Sequence, residues 1–183
     1  MYANRIAKHY GAYTIGTVGS ASKIQVARAE GCDEVIVRGR DFPERLRAAL
    51  KGKPLDLVLD AVGGRVQKQS FKMLAPTGRL VAYGASMFAS HIATPNYLML
   101  AWRYLHMPRY HTLNLIESNK SLLGFNLIWL YDRAETWRAM LNAIQALHLR
   151  KPSVGATFPF SHLKEAVRTL QSGTTTGKVV VRV

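Results

Sequence analysis

The stretch from Leu55 to Gly84 constrains this chain more than any other. It opens with Leu55-Asp56-Leu57-Val58-Leu59-Asp60-Ala61-Val62-Gly63-Gly64 and closes with Gly78-Arg79-Leu80-Val81-Ala82-Tyr83-Gly84. Leu57 to Leu59 and Leu80 to Ala82 are short apolar runs stopped by glycine, the pattern of parallel strands buried on both faces. Between them Val66, Phe71, Leu74 and Ala75 recur at helical spacing until Pro76-Thr77-Gly78 breaks the helix. A strand, helix, strand unit implies an open parallel α/β sheet, and such sheets take ligands beyond the carboxyl ends of their strands. Asp60 to Gly64 and Gly84 to Ser86 are therefore the places to look for a site.

The rest of the chain repeats the alternation. Tyr2 to Tyr10 reads as a helix capped by Gly11, Tyr13 to Val18 as a strand, and Gly19 to Lys23 as a turn in which Ser20 or Ser22 could cap the next helix, Lys23 to Glu30. Glu34 to Val37 is a second strand and Phe42 to Leu50 a helix. Beyond Gly84, Ala85 to Pro95 reads as a loop. Asn96 to His106 is apolar nearly all round, as in a buried or interface segment. Ser121 to Leu127 reads as a strand, Ala134 to Leu147 and Leu163 to Gln171 as helices, and Lys178 to Val183 as a last strand. Such an order is that of a doubly wound fold.

Charge narrows the partners. Against 11 Asp and Glu stand 25 Lys and Arg, a net +14, and no acidic residue occurs from Ala61 to Ile116, where Arg65, Lys68, Lys72, Arg79, Arg103 and Arg109 all lie. This reads either as a solvated basic surface or as attraction for nucleotide phosphates, nucleic acid or anionic lipid. The single Cys32 and six scattered His give no metal-ligand spacing. No apolar run is long enough to span a bilayer, so a cytoplasmic protein is expected, with peripheral membrane attachment as the other option.

Five segments together resemble the medium-chain dehydrogenase/reductase superfamily, in its zinc-independent quinone-reductase (zeta-crystallin-like) branch. They are Gly16-Thr17-Val18-Gly19-Ser20-Ala21-Ser22-Lys23, Glu30 to Ile36, Asp56 to Gly64, Ala75 to Gly84 and Gly177 to Val181. Asn96 to Tyr131, with Leu123-Gly124-Phe125-Asn126, is similar to the synaptic-vesicle membrane-protein-like subgroup. The resemblance implies a Rossmann-like doubly wound parallel sheet over 1–150, without the family's first, central strand and its glycine-rich turn. It also implies that 151–183 is the return segment of a GroES-like catalytic domain, and that the chain is a partial protein: a truncated reading frame, a split gene product, or a chain whose other half is supplied separately.

The same resemblance implies NADP(H) as cofactor. The turn after the first strand has no acidic residue between Tyr13 and Ala29 to select NAD; Gly19, Ser20, Ser22 and Lys23 stand there, and Arg38 follows the next strand, a donor set suited to a 2'-phosphate. Ala61, Gly84, Ala85, Phe125 and Asn126 match positions lining the nicotinamide side in relatives, the substrate being a quinone or another small carbonyl compound. A glycine-poor start, residues 1 to 10, leaves the pyrophosphate without its usual backbone donors. Relatives pair across dimers at the edge corresponding to Ser121 to Asn126, so self-association is expected. Two other readings remain: a non-catalytic basic module for RNA or an anionic membrane, with Asn96 to Arg109 as its interfacial segment, and an inactive remnant.

Overall fold

Helix and strand alternate through the computed structural model, which describes residues 2–88 and 96–183. The order is α1 (Tyr2–His9), β1 (Ile15–Val18), α2 (Ile24–Ala29), β2 (Glu34–Val37), α3 (Phe42–Leu50), β3 (Leu57–Asp60), α4 (Gly64–Met73), β4 (Arg79–Ala82), α5 (Tyr97–Leu105), α6 (Thr112–Ser118), β5 (Ser121–Gly124), α7 (Ala134–Ala146), β6 (Val154–Pro159), α8 (Leu163–Gln171) and β7 (Lys178–Arg182). All strand pairs are parallel, as expected for an α/β chain of this class, and they form three sheets: β1-β2, β3-β4-β5 and β6-β7. Among the described residues, β4 alone is paired on both edges; every other strand keeps one edge without a strand partner. No helix among the described residues is long and apolar enough to cross a membrane.

The chain divides into two compact units, one comprising the chain up to Val37 with Arg138–Val183, the other Arg38–Trp137. In the first, Ile15 to Val18 pair with Glu34 to Val37 and α2 packs on both strands. Gly11, at φ +73°, ends α1 in the left-handed region that costs glycine nothing. Glu30 ties α1 down: its carbonyl accepts from Asn4 Nδ2 (2.6 Å), and its carboxylate meets Arg5 (2.6 Å) and Arg150 (3.0 Å). β6 and β7 are bridged by α8, whose Ala166 is buried against them.

In the second unit, α3 is helical because Phe42, Leu46 and Ala49 recur on one face and are all buried, with α4 packed alongside. Phe42 and Leu80 are fully buried, each contributing about 2 kcal/mol. The inward face of α4 is Gly64, Gln67 and Ser70, not the Val66 and Phe71 that periodicity selects; those two are only half-buried. Small and polar side chains let α4 lie close to the strands.

Four expectations are corrected. The two-sided burial of the central strands fails at β3, where Leu57 is 55% and Leu59 46% exposed on the one face they share. The strand from Ser121 stops at Gly124 rather than running on to Leu127, since Asn126 caps a 3-10 turn over Leu127–Leu130. Neither Ser20 nor Ser22 caps a helix; the two hydroxyls bond each other at 2.8 Å. Of the buried and interface readings of Asn96 to His106 the buried one fails within this chain: α5, capped by Asn96 accepting from Met99 N (3.0 Å), exposes Tyr97, Leu98, Trp102, Tyr104 and Leu105. Periodicity did not announce α6 or β6. Of the expected loop Ala85 to Pro95, Ser86–Phe88 is a 3-10 turn and residues 89–95 lie outside the described ones.

Candidate functional site

In the first unit, the candidate residues sit on the turn that leaves β1. After Val18 the chain bends at Gly19 and Ser20, passes through a 3-10 turn over Ala21–Lys23 and enters α2. Ser20 is extended, so its hydroxyl turns to Ser22 instead of the helix, and both side chains are exposed. Lys23 is half-exposed and donates from Nζ to the Gly173 carbonyl. An ammonium has three donors, so this bond orients Lys23 without using it up. Two hydroxyls and a cation with no carboxylate in the turn make a donor set for an oxyanion such as phosphate.

In the second unit the carboxyl ends of three strands lie side by side, Asp60 against Ala82 and Ala82 against Gly124. That register gathers Ala61, Gly84 with Ala85, and Phe125 with Asn126, which follow the three strands. Backbone bonds lock their order: Tyr83 N to Asp60 O (2.9 Å), Ser86 N to Ala61 O (3.0 Å) and Phe125 N to Ala82 O (2.9 Å). Gly84 is required there by close approach, since a Cβ would lie 3.1 to 3.3 Å from the Ala61 carbonyl oxygen, Cα and Cβ. The result is a shelf of small residues beside Phe125, which is 41% exposed. Asn126 uses its side-chain oxygen on Ile128 N (3.2 Å), capping the 3-10 turn that follows.

One organising group carried no assigned role in the sequence. Asp60 is buried, and its carboxylate accepts from Val62 N (3.0 Å) and Gly63 N (3.0 Å), shaping the turn into α4. Its sequence signal is an acid closing an apolar strand just ahead of paired glycines. Arg38 is half-buried; burial draws its pKa down, and the Asp60 charge works the other way. The Arg38 cation thus answers a buried carboxylate. Tyr110 is pushed up to about 12, by burial first and by Asp60 second. Among the described residues no three His, Cys, Asp or Glu side chains gather as a metal-binding group.

Comparison with known proteins completes the picture. The chain matches the zinc-binding dehydrogenase family over residues 30–181. It is 30% identical over 184 residues to the synaptic vesicle membrane protein VAT-1 homolog of Danio rerio, covering 98% of this chain and 37% of that one. A 2-haloacrylate reductase from Burkholderia sp. is 39% identical over 90 residues, 49% of this chain and 26% of the relative. Among solved structures, the quinone oxidoreductase of Thermus thermophilus, described with its NADPH complex, superposes with a TM-score of 0.73 at 30% identity, covering all of this chain and 53% of that one. The chain thus spans well under two thirds of the length of these relatives. With the match running through β2 to β7 and the parallel α/β architecture in agreement, the chain belongs to the zinc-binding dehydrogenase family within the medium-chain dehydrogenase/reductase superfamily, as a quinone-reductase-like C-terminal half.

Proposed function

We propose that this chain is the cofactor-binding half of an NADPH-dependent, zinc-independent oxidoreductase acting on a quinone or enone. The observation that carries the reading is the shelf made where β3, β4 and β5 end in register, with small residues at Ala61, Gly84 and Ala85 and Phe125 and Asn126 beside them. A flat ring can approach backbone there as it could not over larger side chains. NADPH, when bound, supplies a hydride, and the chain's own residues hold and orient it. In this reading the shelf takes the nicotinamide end, Gly19 allows the backbone bend, Ser20, Ser22 and Lys23 take the 2'-phosphate, and Arg38 adds positive charge. The Thermus relative's NADPH complex and the Burkholderia relative's name as a haloacrylate reductase support the cofactor and the activated-alkene chemistry.

The substrate side and the pyrophosphate donors belong, in this proposal, to sequence that the relatives have and this chain does not span. Residues 151–183, with β6, α8 and β7, would then join that catalytic domain. Titration calorimetry of the purified chain with NADPH and NADH tests the reading. NADPH should bind about tenfold tighter, with Lys23→Ala and Arg38→Ala each removing most of that preference and leaving NADH unchanged. A folded chain that binds neither nucleotide would overturn it for the isolated half.

One observation favours a second reading. The exposed Tyr97, Leu98, Trp102, Tyr104 and Leu105 of α5, beside Arg103, suit the headgroup boundary of an anionic membrane. Vesicle binding that falls steeply with salt and ignores NADPH would support it.

A further inference from the structure

The second unit holds a cavity of about 280 Å³ between α4 and α5, none of whose lining residues is among those assigned to the nucleotide. Three cations line it: Arg65 and Lys68 from α4 and Arg103 from α5. Two are fixed by carbonyls, not carboxylates. Arg65 Nη2 donates to Gly39 O (3.0 Å) and Arg40 O (2.5 Å), and Arg103 Nη1 to Met87 O (2.5 Å). Their positive charge is thereby positioned without being cancelled. Lys68 is exposed and makes no bond among the described residues. Asp41, whose carboxylate also feels the Arg65 charge, is paired with Arg45 at 2.6 Å.

The remaining wall is aromatic. Trp102 of α5 and His106, which caps that helix at its C-terminus, stack with ring centroids 4.2 Å apart and planes 30° from parallel, and His106 Nδ1 lies 2.7 Å from the Trp102 carbonyl, which holds the imidazole in place. A wider groove of about 500 Å³ shares Lys68 and His106, giving room for a ligand body beyond the charged end. Like charges brought together around a half-open cavity repel, and an anion relieves that repulsion while a flat ring covers exposed aromatic surface. Small-molecule sites are typically about 300 Å³ or more, with a few convergent polar groups.

We propose that this cavity binds a small organic anion whose phosphate or carboxylate sits beside a flat ring. The anion lies among Arg65, Lys68 and Arg103, and the ring packs against the Trp102–His106 pair. Calorimetry on the full chain with 1-naphthyl phosphate, inorganic phosphate and 1-naphthol, each alone, tests it, with tryptophan fluorescence as a second readout. The aryl phosphate should bind saturably and about tenfold tighter than either fragment, and Lys68→Glu or Trp102→Leu should each weaken it about tenfold. Both positions are exposed, so circular dichroism should stay unchanged, and NADPH affinity with it.

Equal affinity of wild type and Lys68→Glu, or inorganic phosphate binding as tightly as the aryl phosphate, would overturn the proposal. So would binding to phosphatidylglycerol vesicles that Lys68→Glu abolishes, with no response to the soluble anion, which would make the patch a membrane surface.

Discussion

Glu30 shows what one residue can determine in this chain. It closes α2, and its side chain joins Arg5 of α1 to Arg150 ahead of β6, holding together segments far apart in sequence. Burial alone would raise its pKa, but the hydrogen bond and charge of Arg5, followed by Arg150, outweigh that and hold the carboxyl below its ordinary value. A lowered folded-state pKa means stability present above the unfolded value and lost as pH falls through the folded one. Glu30→Gln should therefore cost about 2 kcal/mol in urea unfolding at pH 7, with Arg5 left short of its counter-charge. The gap from wild type should hold above about pH 5 and close as the pH drops below about 4. A gap that does not shrink as the folded protein is acidified would show that the charge is not the source. The sequence displays Glu30 only as a helix-ending acid before Gly31; Arg5 and Arg150 lie too far off for spacing to pair them. Ser20, Ser22 and Lys23, by contrast, are readable together as candidates because they share one turn.

Among the elements, β3 and β5 carry the interaction risk. Edge strands with apolar side chains invite pairing with another chain. β5 leaves Leu123 44% exposed beside Phe125, and β3 leaves Leu57 and Leu59 exposed. The resemblance points to self-association through β5; the exposures make β3 an equal candidate. Sedimentation of Leu59→Lys and Leu123→Lys separates them. The substitution on the edge in use should raise the dissociation constant about tenfold, and the other should leave it unchanged, with both chains folded because neither side chain is in the core. A wild-type chain that stays monomeric at high concentration would dismiss both edges. Strand and helix positions were readable from period and glycine stops, yet the exposure of α5 was not, since a helix apolar on every side looks the same whether it is covered or bare. Alternation of Val154, Ala156 and Phe158 was available for β6, but a short strand lacking a turn signal does not stand out from coil.

For the whole molecule, the core is unevenly shared. Phe42, Leu46, Ala49, Leu74 and Leu80 are buried in the unit Arg38–Trp137, while the other unit buries Ile36 and Ala166 among its apolar residues. Local stability follows buried apolar contact. Hydrogen exchange should find the slowest amides in α3, β3, α4 and β4, with β1, β2, β6 and β7 exchanging about tenfold faster or more. Uniform protection across both units would contradict this distribution. What the sequence by itself determined was the alternation of helix and strand, the parallel pairing and the glycine-bounded turns, because each follows from local period and backbone freedom. Only the tertiary structure decided which faces lie bare and that Arg65, Lys68 and Arg103 share a cavity with two stacked rings. Those depend on which distant residues meet, and no spacing within a single segment encodes that.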